Sequence, residues 1–304
     1  MTNSPVTFRP GTLDDSYEAF KVMEESIADL NRRIGSTEPS SADDPEKLAQ
    51  MWEERRELYE HLGRTAGSFW LAERDKRTVG VARAIVRGGV WFLTELFVSP
   101  TEQSAGIGKS LLSRTVSGSV NERRLTISSP DRRAQSLYEG AGLLPRFPIY
   151  YLWRKPEPVR VSSDLEVVPA EKSSEHLRDL GSVDEVVLGH RRDVDHEWLL
   201  SDRQGFLFKR DERVVAYGYM GRRNGPFALL DDGDFPTVLA YAENQAAAKG
   251  FEHFGLEVPE FNGVAMSYLM GRGYVKDRLV AVLMSDEPIG DFEKYVATSP
   301  PFIL

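Results

Sequence analysis

The chain has 304 residues, 41% of them hydrophobic and 28% charged, with a formal charge of −9 and no cysteine. That length suggests two domains of roughly 100–200 residues each, the lack of cysteine excludes disulfides, thiolate metal sites and a thiol nucleophile, and the negative charge argues against a nucleic-acid partner, which needs a basic footprint. No apolar run approaches the roughly 18 residues of a membrane span, and Met1-Thr2-Asn3-Ser4-Pro5 lacks a basic, apolar leader, so a cytoplasmic protein without membrane contact is expected.

Apolar periodicity predicts, in chain order, a strand over 6–10, helices over about 14–31 and 45–64, and strands over 68–73, 78–87 and 90–98. A helix over 106–120, a strand over 124–128, a helix over 131–141 and closing strands within 143–154 follow. Gly35 to Asp44, rich in Ser, Pro and Asp, reads as the loop between the first two helices. Trp52, Arg56 and Tyr59 share a stripe of the second helix, as core or as the lining of a substrate cleft.

The segment Gln103-Ser104-Ala105-Gly106-Ile107-Gly108-Lys109 joins the strand pattern ending at Val98 to a helical pattern from Ser110. A glycine-bearing turn at a helix start is an anion site, because the first-turn N–H groups have no helical partner and glycine lets a phosphate approach the backbone. The spacing is neither that of nucleoside triphosphate enzymes nor that of dinucleotide folds. It reads [Gln/Arg]-x-x-Gly-x-[Gly/Ala], which resembles the acyl-CoA pyrophosphate loop of the GNAT N-acetyltransferases. Leu96-Phe97-Val98-Ser99-Pro100 resembles that family's Leu-x-Val-x-Pro lead-in on its fourth strand. Asp131 to Leu143 resembles Asn-x-x-Ala-x-x-Leu-Tyr-x-x-x-Gly-Phe, with Asp131 and Leu143 in place of the Asn and Phe. Val6 to Asp15 resembles the family's first strand and the start of its first helix.

Lys155-Pro156-Glu157-Pro158-Val159-Arg160 reads as a linker. Beyond it the pattern repeats: Phe69 to Gly80 aligns with Gly205 to Ala216 at an offset of 136, and Asp131, Ala134, Gly142 and Leu143 align with Asn262, Ala265, Gly273 and Tyr274 at 131. The fold class expected is α/β (α+β), with two GNAT-like domains over 1–155 and 161–304, each a mixed, mostly antiparallel, twisted sheet flanked by helices. The five residues missing from the second copy are expected where its phosphate loop should lie. There Asp231, Asp232 and Asp234 precede a helix expected from about Thr237 to Lys249, where they favour the helix dipole and repel a pyrophosphate. Leu269 stands where the first copy has Tyr138. The second copy is therefore expected to keep the fold without the coenzyme, and to serve packing, pairing of two copies into a homodimer, or one wall of the acceptor site.

The resemblance implies acetyl-CoA as co-substrate and an amine, small molecule or peptide, as acceptor. It assigns the pyrophosphate to main-chain N–H groups of Ser104, Ala105, Gly106, Ile107, Gly108 and Lys109 beside Gln103, and the pantetheine arm to the backbone of Phe97, Val98 and Ser99. Tyr138 matches the family tyrosine near the sulfur, where a phenol of pKa about 10 can protonate the departing thiolate. Glu95 is the candidate base, since a carboxylate in a central strand is costly unless paired or useful. Period two puts it on one face with Leu93 and Phe97, and a water chain could do the same work. Asp131 takes the place of the asparagine that helps position the coenzyme. The histidines have no metal-ligand spacing and the chain has no Gly-x-Ser-x-Gly elbow. The alternative reading is a non-catalytic acyl-CoA-binding or scaffold protein.

Overall fold

The structure, a computed structural model, describes residues 4–35, 41–117, 119 and 122–304. The middle of the loop expected over Gly35 to Asp44, the first three residues and the end of the helix expected to reach 120 lie outside them. Packing divides the chain into unit 1, Met1–Thr126 with Asp131–Ala141, and unit 2, Ile127–Pro130 with Gly142–Leu304.

Unit 1 opens with β1 (Thr7–Pro10), α1 (Ser16–Arg33) and α2 (Pro45–Arg64). Asp44 caps α2 by accepting from the N–H groups of Glu46 and Lys47, and Pro45 at the first position needs no donor. α1 buries Ala19, Phe20, Val22 and Met23, and ends on Arg32 and Arg33, which suit the negative end of its dipole. The strands β2 (Ala66–Arg74), β3 (Arg77–Arg87) and β4 (Val90–Val98) form a meander, joined to α3 (Ile107–Val116), β5 (Arg123–Ser128) and α4 (Arg132–Glu139). The order is β1-β2-β3-β4-β5, antiparallel except for the parallel pair β4–β5. One face packs α1 against Phe69, Leu71, Val81 and Phe97; the other packs Ile107 and Leu111 of α3 against Ala72, Val79 and Ala82.

Unit 2 contains β6 (Leu144–Arg154), β7 (Glu166–Ala170), α5 (Ser174–Val187), α6 (Asp193–Asp202), β8 (Gln204–Arg210), β9 (Arg213–Met220), β10 (Phe227–Leu229), α7 (Phe235–Ala248), β11 (Phe254–Pro259), α8 (Gly263–Gly271), β12 (Val275–Ser285) and β13 (Tyr295–Val296). β6, one strand where the residue pattern gave closing strands of the first copy, lies antiparallel between β11 and β12. Packing therefore groups 142–154 with unit 2, whereas the pattern groups it with the first copy. A second set of strands runs β13-β10-β9-β8-β7.

The repeat is visible in backbone detail. The β2–β3 turn holds Asp75 and Lys76 at φ 50° and 63°, and the β8–β9 turn holds Asp211 and Glu212 at 49° and 63°. The same bulge follows each, with Val79 the extra residue opposite Ala72 and Glu73 and Val215 the extra residue opposite Phe208 and Lys209. β3–β4 pairs Gly80, Val81 and Ala82 with Val98, Phe97 and Leu96, and β9–β10 pairs Ala216, Tyr217 and Gly218 with Leu229, Ala228 and Phe227. These matches correct the expected place of the missing five residues. Arg83 lies opposite Glu95 across eleven intervening residues, whereas Tyr219 reaches Pro226 across six. The loss lies in the hairpin, not in the turn before the helix; residue matching alone could not locate a gap between two strands.

Candidate active site

The pairing of β4 with β5 stops early. It runs from Val90 opposite Arg123 to Leu93 opposite Thr126, and the remainder of β4 has no β5 partner. At that point Thr94 is an extra residue in β4, because Leu93 pairs with Ala84 and Glu95 with Arg83. Such a bulge bends its strand and changes which face the following side chains occupy. Thr94 Oγ1 donates to Arg83 O (3.1 Å) and Thr126 Oγ1 to Leu93 O (3.0 Å), which fixes both sides of the fork.

The bulge corrects one expectation. Cross-strand partners share a face, so Leu93 goes with Ala84 and Glu95 with Arg83, and Leu93 and Glu95 point to opposite faces. It also decides which main-chain groups face the fork. Ser99 N donates to Val79 O at 2.9 Å. By antiparallel alternation Phe97 and Glu95 then turn their N–H and C=O to β3, and Leu96 and Val98 turn theirs to the open edge. Phe97 and Ser99, expected with Val98 to offer backbone to a ligand, instead turn their N–H groups inward to β3, and the Phe97 ring packs on the α1 face. Leu96 has its main-chain groups outward instead, as counting back in twos from Ser99 shows. Val98 O accepts from Gln103 Nε2 (3.0 Å) and Ser26 Oγ (3.1 Å), which leaves the Val98 N–H and both Leu96 groups outward. Ser99 Oγ donates to Glu25 (3.1 Å).

The chain then turns into α3. Ser104 and Gly106 have φ of 67° and 80°, and Gly106 is the N-cap residue, with no side chain to cap the helix. The first helical bond is Ser110 N to Gly106 O at 3.0 Å. The N–H groups of Ile107, Gly108 and Lys109 precede it and converge at the positive end of the helix. Ile107 is buried and pins the turn to the sheet, while Ser104, Ala105, Gly106 and Lys109 are exposed. A Cβ on Gly108 would meet Leu137 Cδ2 at 3.4 Å, so α4 flanks the turn.

Tyr138, on α4, is buried, with its hydroxyl in hydrogen-bond contact with Thr126, and burial pushes its pKa upward. It stays protonated and lies where β4 and β5 part. Asp131 caps α4 by accepting from Arg133 N (2.9 Å) and pairs with Arg33 of α1 at 2.9 Å. Those partners, Arg133 first, hold its carboxyl well below the usual range.

Glu95 and Arg83 are both fully enclosed, 3.0 Å apart. Arg83 Nη1 donates to Tyr59 O (2.9 Å), and its guanidinium lies 4.1 Å from the Phe69 ring centroid. The ion pair is outside hydrogen-bond alignment, and neither Glu95 oxygen has a hydrogen-bond partner. Burial raises the Glu95 pKa and Arg83 opposes the rise. Arg83 was missed from sequence; an arginine in the middle of an otherwise apolar strand facing a carboxylate strand was the available signal. Near it, Tyr59 donates to Met23 Sδ (2.7 Å), and Arg55 pairs with Glu24 at 2.6 Å. Trp52 and Tyr59 pack with Phe20 and Trp52 also with Tyr17, whereas Arg56 is half exposed and pairs with Glu53 and Glu60. The stripe is core for two of its members only.

Together these elements form a sheet forked at its fourth strand, with a glycine-capped helix following the fork. The acetyltransferase (GNAT) family model matches residues 31–143. No curated protein matches the sequence. Among solved structures, the chain is similar to an acetyltransferase candidate from Pyrococcus horikoshii, at 14% identity and a TM-score of 0.69, with 96% of this chain and 94% of that one covered. It is similar also to a tandem GNAT protein from the clavulanic acid biosynthesis pathway, at 12% identity, TM-score 0.60 and coverage of 93% and 99%. A GCN5-related N-acetyltransferase from Sphaerobacter thermophilus aligns at 13% identity, TM-score 0.60 and coverage of 93% and 96%. Residues 31–143 thus match the GNAT family model, and the chain has the fold of the tandem GNAT proteins. Among the described residues no helix is long and apolar enough to cross a membrane, and no three His, Cys, Asp or Glu side chains cluster as metal ligands.

Proposed function

We propose that the N-terminal domain transfers an acetyl group from acetyl-CoA to a primary amine by direct attack. The observation that carries this is the open edge of β4 at Leu96 and Val98, running into the uncapped N-terminus of α3 with Tyr138 at the fork. The N–H groups of the Ser104–Lys109 turn hold the pyrophosphate, where the helix dipole favours negative charge. Gln103 braces the turn through Val98 O, and Asp131 acts on the coenzyme only by fixing the start of α4. The pantetheine arm adds to β4 as a strand would, through Leu96 and Val98.

The amine lone pair attacks the thioester carbonyl carbon, whose developing oxyanion takes an outward N–H of β4. The C–N bond forms, the C–S bond breaks, and the thiolate takes the Tyr138 proton. The ammonium proton leaves to Glu95 through a water molecule, since the carboxylate is enclosed and neither of its oxygens has a hydrogen bond.

The test is coenzyme binding and free-thiol release across a panel of amines. Gly106→Glu sets a carboxylate against the pyrophosphate and is expected to abolish binding; Gly106→Asn, which tolerates the positive φ without adding charge, is expected to retain it. Tyr138→Phe should lower kcat on the order of 10²-fold with the dissociation constant unchanged. Undiminished binding by Gly106→Glu rejects the turn as the pyrophosphate site. Binding without thiol release for any amine favours a non-catalytic acyl-CoA-binding protein.

A further inference from the structure

Unit 2 has its own counterpart of the open edge. Leu230 N donates to Val215 O at 2.8 Å, as Ser99 N does to Val79 O at 2.9 Å. Phe227 and Leu229 therefore stand where Leu96 and Val98 stand in unit 1, with main-chain groups turned away from the neighbouring strand. Here that edge is filled. β13 lies antiparallel along it, with Phe227 opposite Val296 and Ala228 opposite Tyr295. On its other side Ala297 N donates to Glu257 O of β11 at 2.9 Å, and Glu257 occupies the place in β11 that Thr126 has in β5. The segment thus crosses the gap between the strands that correspond to β4 and β5.

It is also built in. Tyr295, Val296, Ala297 and Thr298 are all 0% exposed. Asn262, in the position of Asp131, donates its Nδ2 to Tyr295 O at 3.1 Å, and Ser299 N donates to Asn224 O at 3.0 Å. Gly225 has φ 82°, and a Cβ there would lie 2.3 Å from Ala297 O, so the passage of β13 itself requires glycine.

We propose that the segment from Tyr295 to Thr298 is a permanent occupant of the second unit's pantetheine slot, so that the chain has one acyl-CoA site. This rests on reading the open edge of unit 1 as the pantetheine slot. A tethered strand satisfies the same main-chain groups that the coenzyme would, at an effective concentration that a dissolved ligand does not match. The acidic turn at Asp231 and Asp232 and the buried Leu269 leave the phosphate and thiolate ends of the slot without their chemistry as well.

Amide hydrogen exchange on the full chain, with and without acetyl-CoA, alongside the binding stoichiometry, tests it. The expected result is one equivalent bound, new protection at Leu96 and Val98, and slow exchange at Val296 and Ala297 in both conditions. Two equivalents, or faster exchange at Val296 and Ala297 on adding coenzyme, overturns the proposal. Gly225→Ala should speed exchange at Val296 and Ala297 while leaving the response of Leu96 and Val98 intact; where that variant does not fold, Ala297→Pro removes the single N–H given to Glu257 and should free Val296 likewise. Slow exchange at these amides together with no coenzyme binding at all sinks the unit 1 reading instead, and leaves the inserted strand standing.

Discussion

Glu95 and Arg83 form the costliest contact in unit 1. Two charges with no exposed surface lose their hydration, and the pair repays it incompletely because it lacks aligned hydrogen bonds. A purely structural sheet would place Leu and Met there. Removing one partner should therefore be worse than removing both. Arg83→Met strands the carboxylate and is expected to destabilise by about 3–5 kcal/mol; Arg83→Met with Glu95→Leu should recover most of that. The pH sign follows from the raised Glu95 pKa. The folded state then holds the proton more tightly than the unfolded state, so stability from this group is complete below the usual carboxylate range and falls as pH rises through the folded pKa. Arg83→Met raises that pKa further, and its penalty should be larger at pH 8 than at pH 5 in denaturant titrations. A penalty independent of pH would show that Glu95 is not the group losing its counter-charge. Sequence flagged Glu95 because a carboxylate among apolar strand residues is conspicuous, but its partner lay on another strand, and only the register reveals it.

At the scale of elements, periodicity placed most helices and strands of unit 1 within two or three residues of their ends, because each buries one regular face. What it could not give is the behaviour of β4. The bulge at Thr94 carries no glycine or proline to mark it, and the fork depends on where β5 stops pairing, so Glu95 and Phe97 were put on the face of Leu93, which they do not share. The turn between β1 and α1 was more legible. Asp15 accepts from Thr12 N and Thr12 Oγ1 at 2.8 and 2.9 Å and pairs with Arg9 at 2.7 Å. Arg9 above all holds its carboxyl down at about 2. The folded state thus releases this proton more readily than an unfolded chain near 3.9, so the stabilisation is present above pH 4 and is lost as pH falls toward 2. Since Arg9 is partly exposed, Asp15→Asn should cost on the order of 1–2 kcal/mol at pH 7. The difference from wild type should vanish at the acid end of a pH series of melting curves; a gap that persists there would assign the cost to the lost cap alone.

Over the whole molecule, one architecture has been used twice. The repeated turn, bulge and strand register show that unit 2 retains the scaffold. At its counterparts of the positions proposed to carry the reaction it has Pro226 for Glu95, Leu269 for Tyr138 and an acidic turn for the glycine turn. The repeat was readable from residue offsets, but β13 was not: two paired residues give no period, and their partners are distant in sequence. Because the losses in unit 2 are separate, mending one should restore nothing. Neutralising the turn with Asp231→Asn and Asp232→Asn is expected to leave the thermal shift on acetyl-CoA equal to that of wild type. At a hundredfold excess over the dissociation constant a single site adds about 2.7 kcal/mol, or roughly 5–10 °C for a domain of this size. In a Gly106→Glu background the same pair of substitutions should give no shift at all. A shift regained there would mean that charge alone had barred the second unit, and that its slot can still open to a ligand.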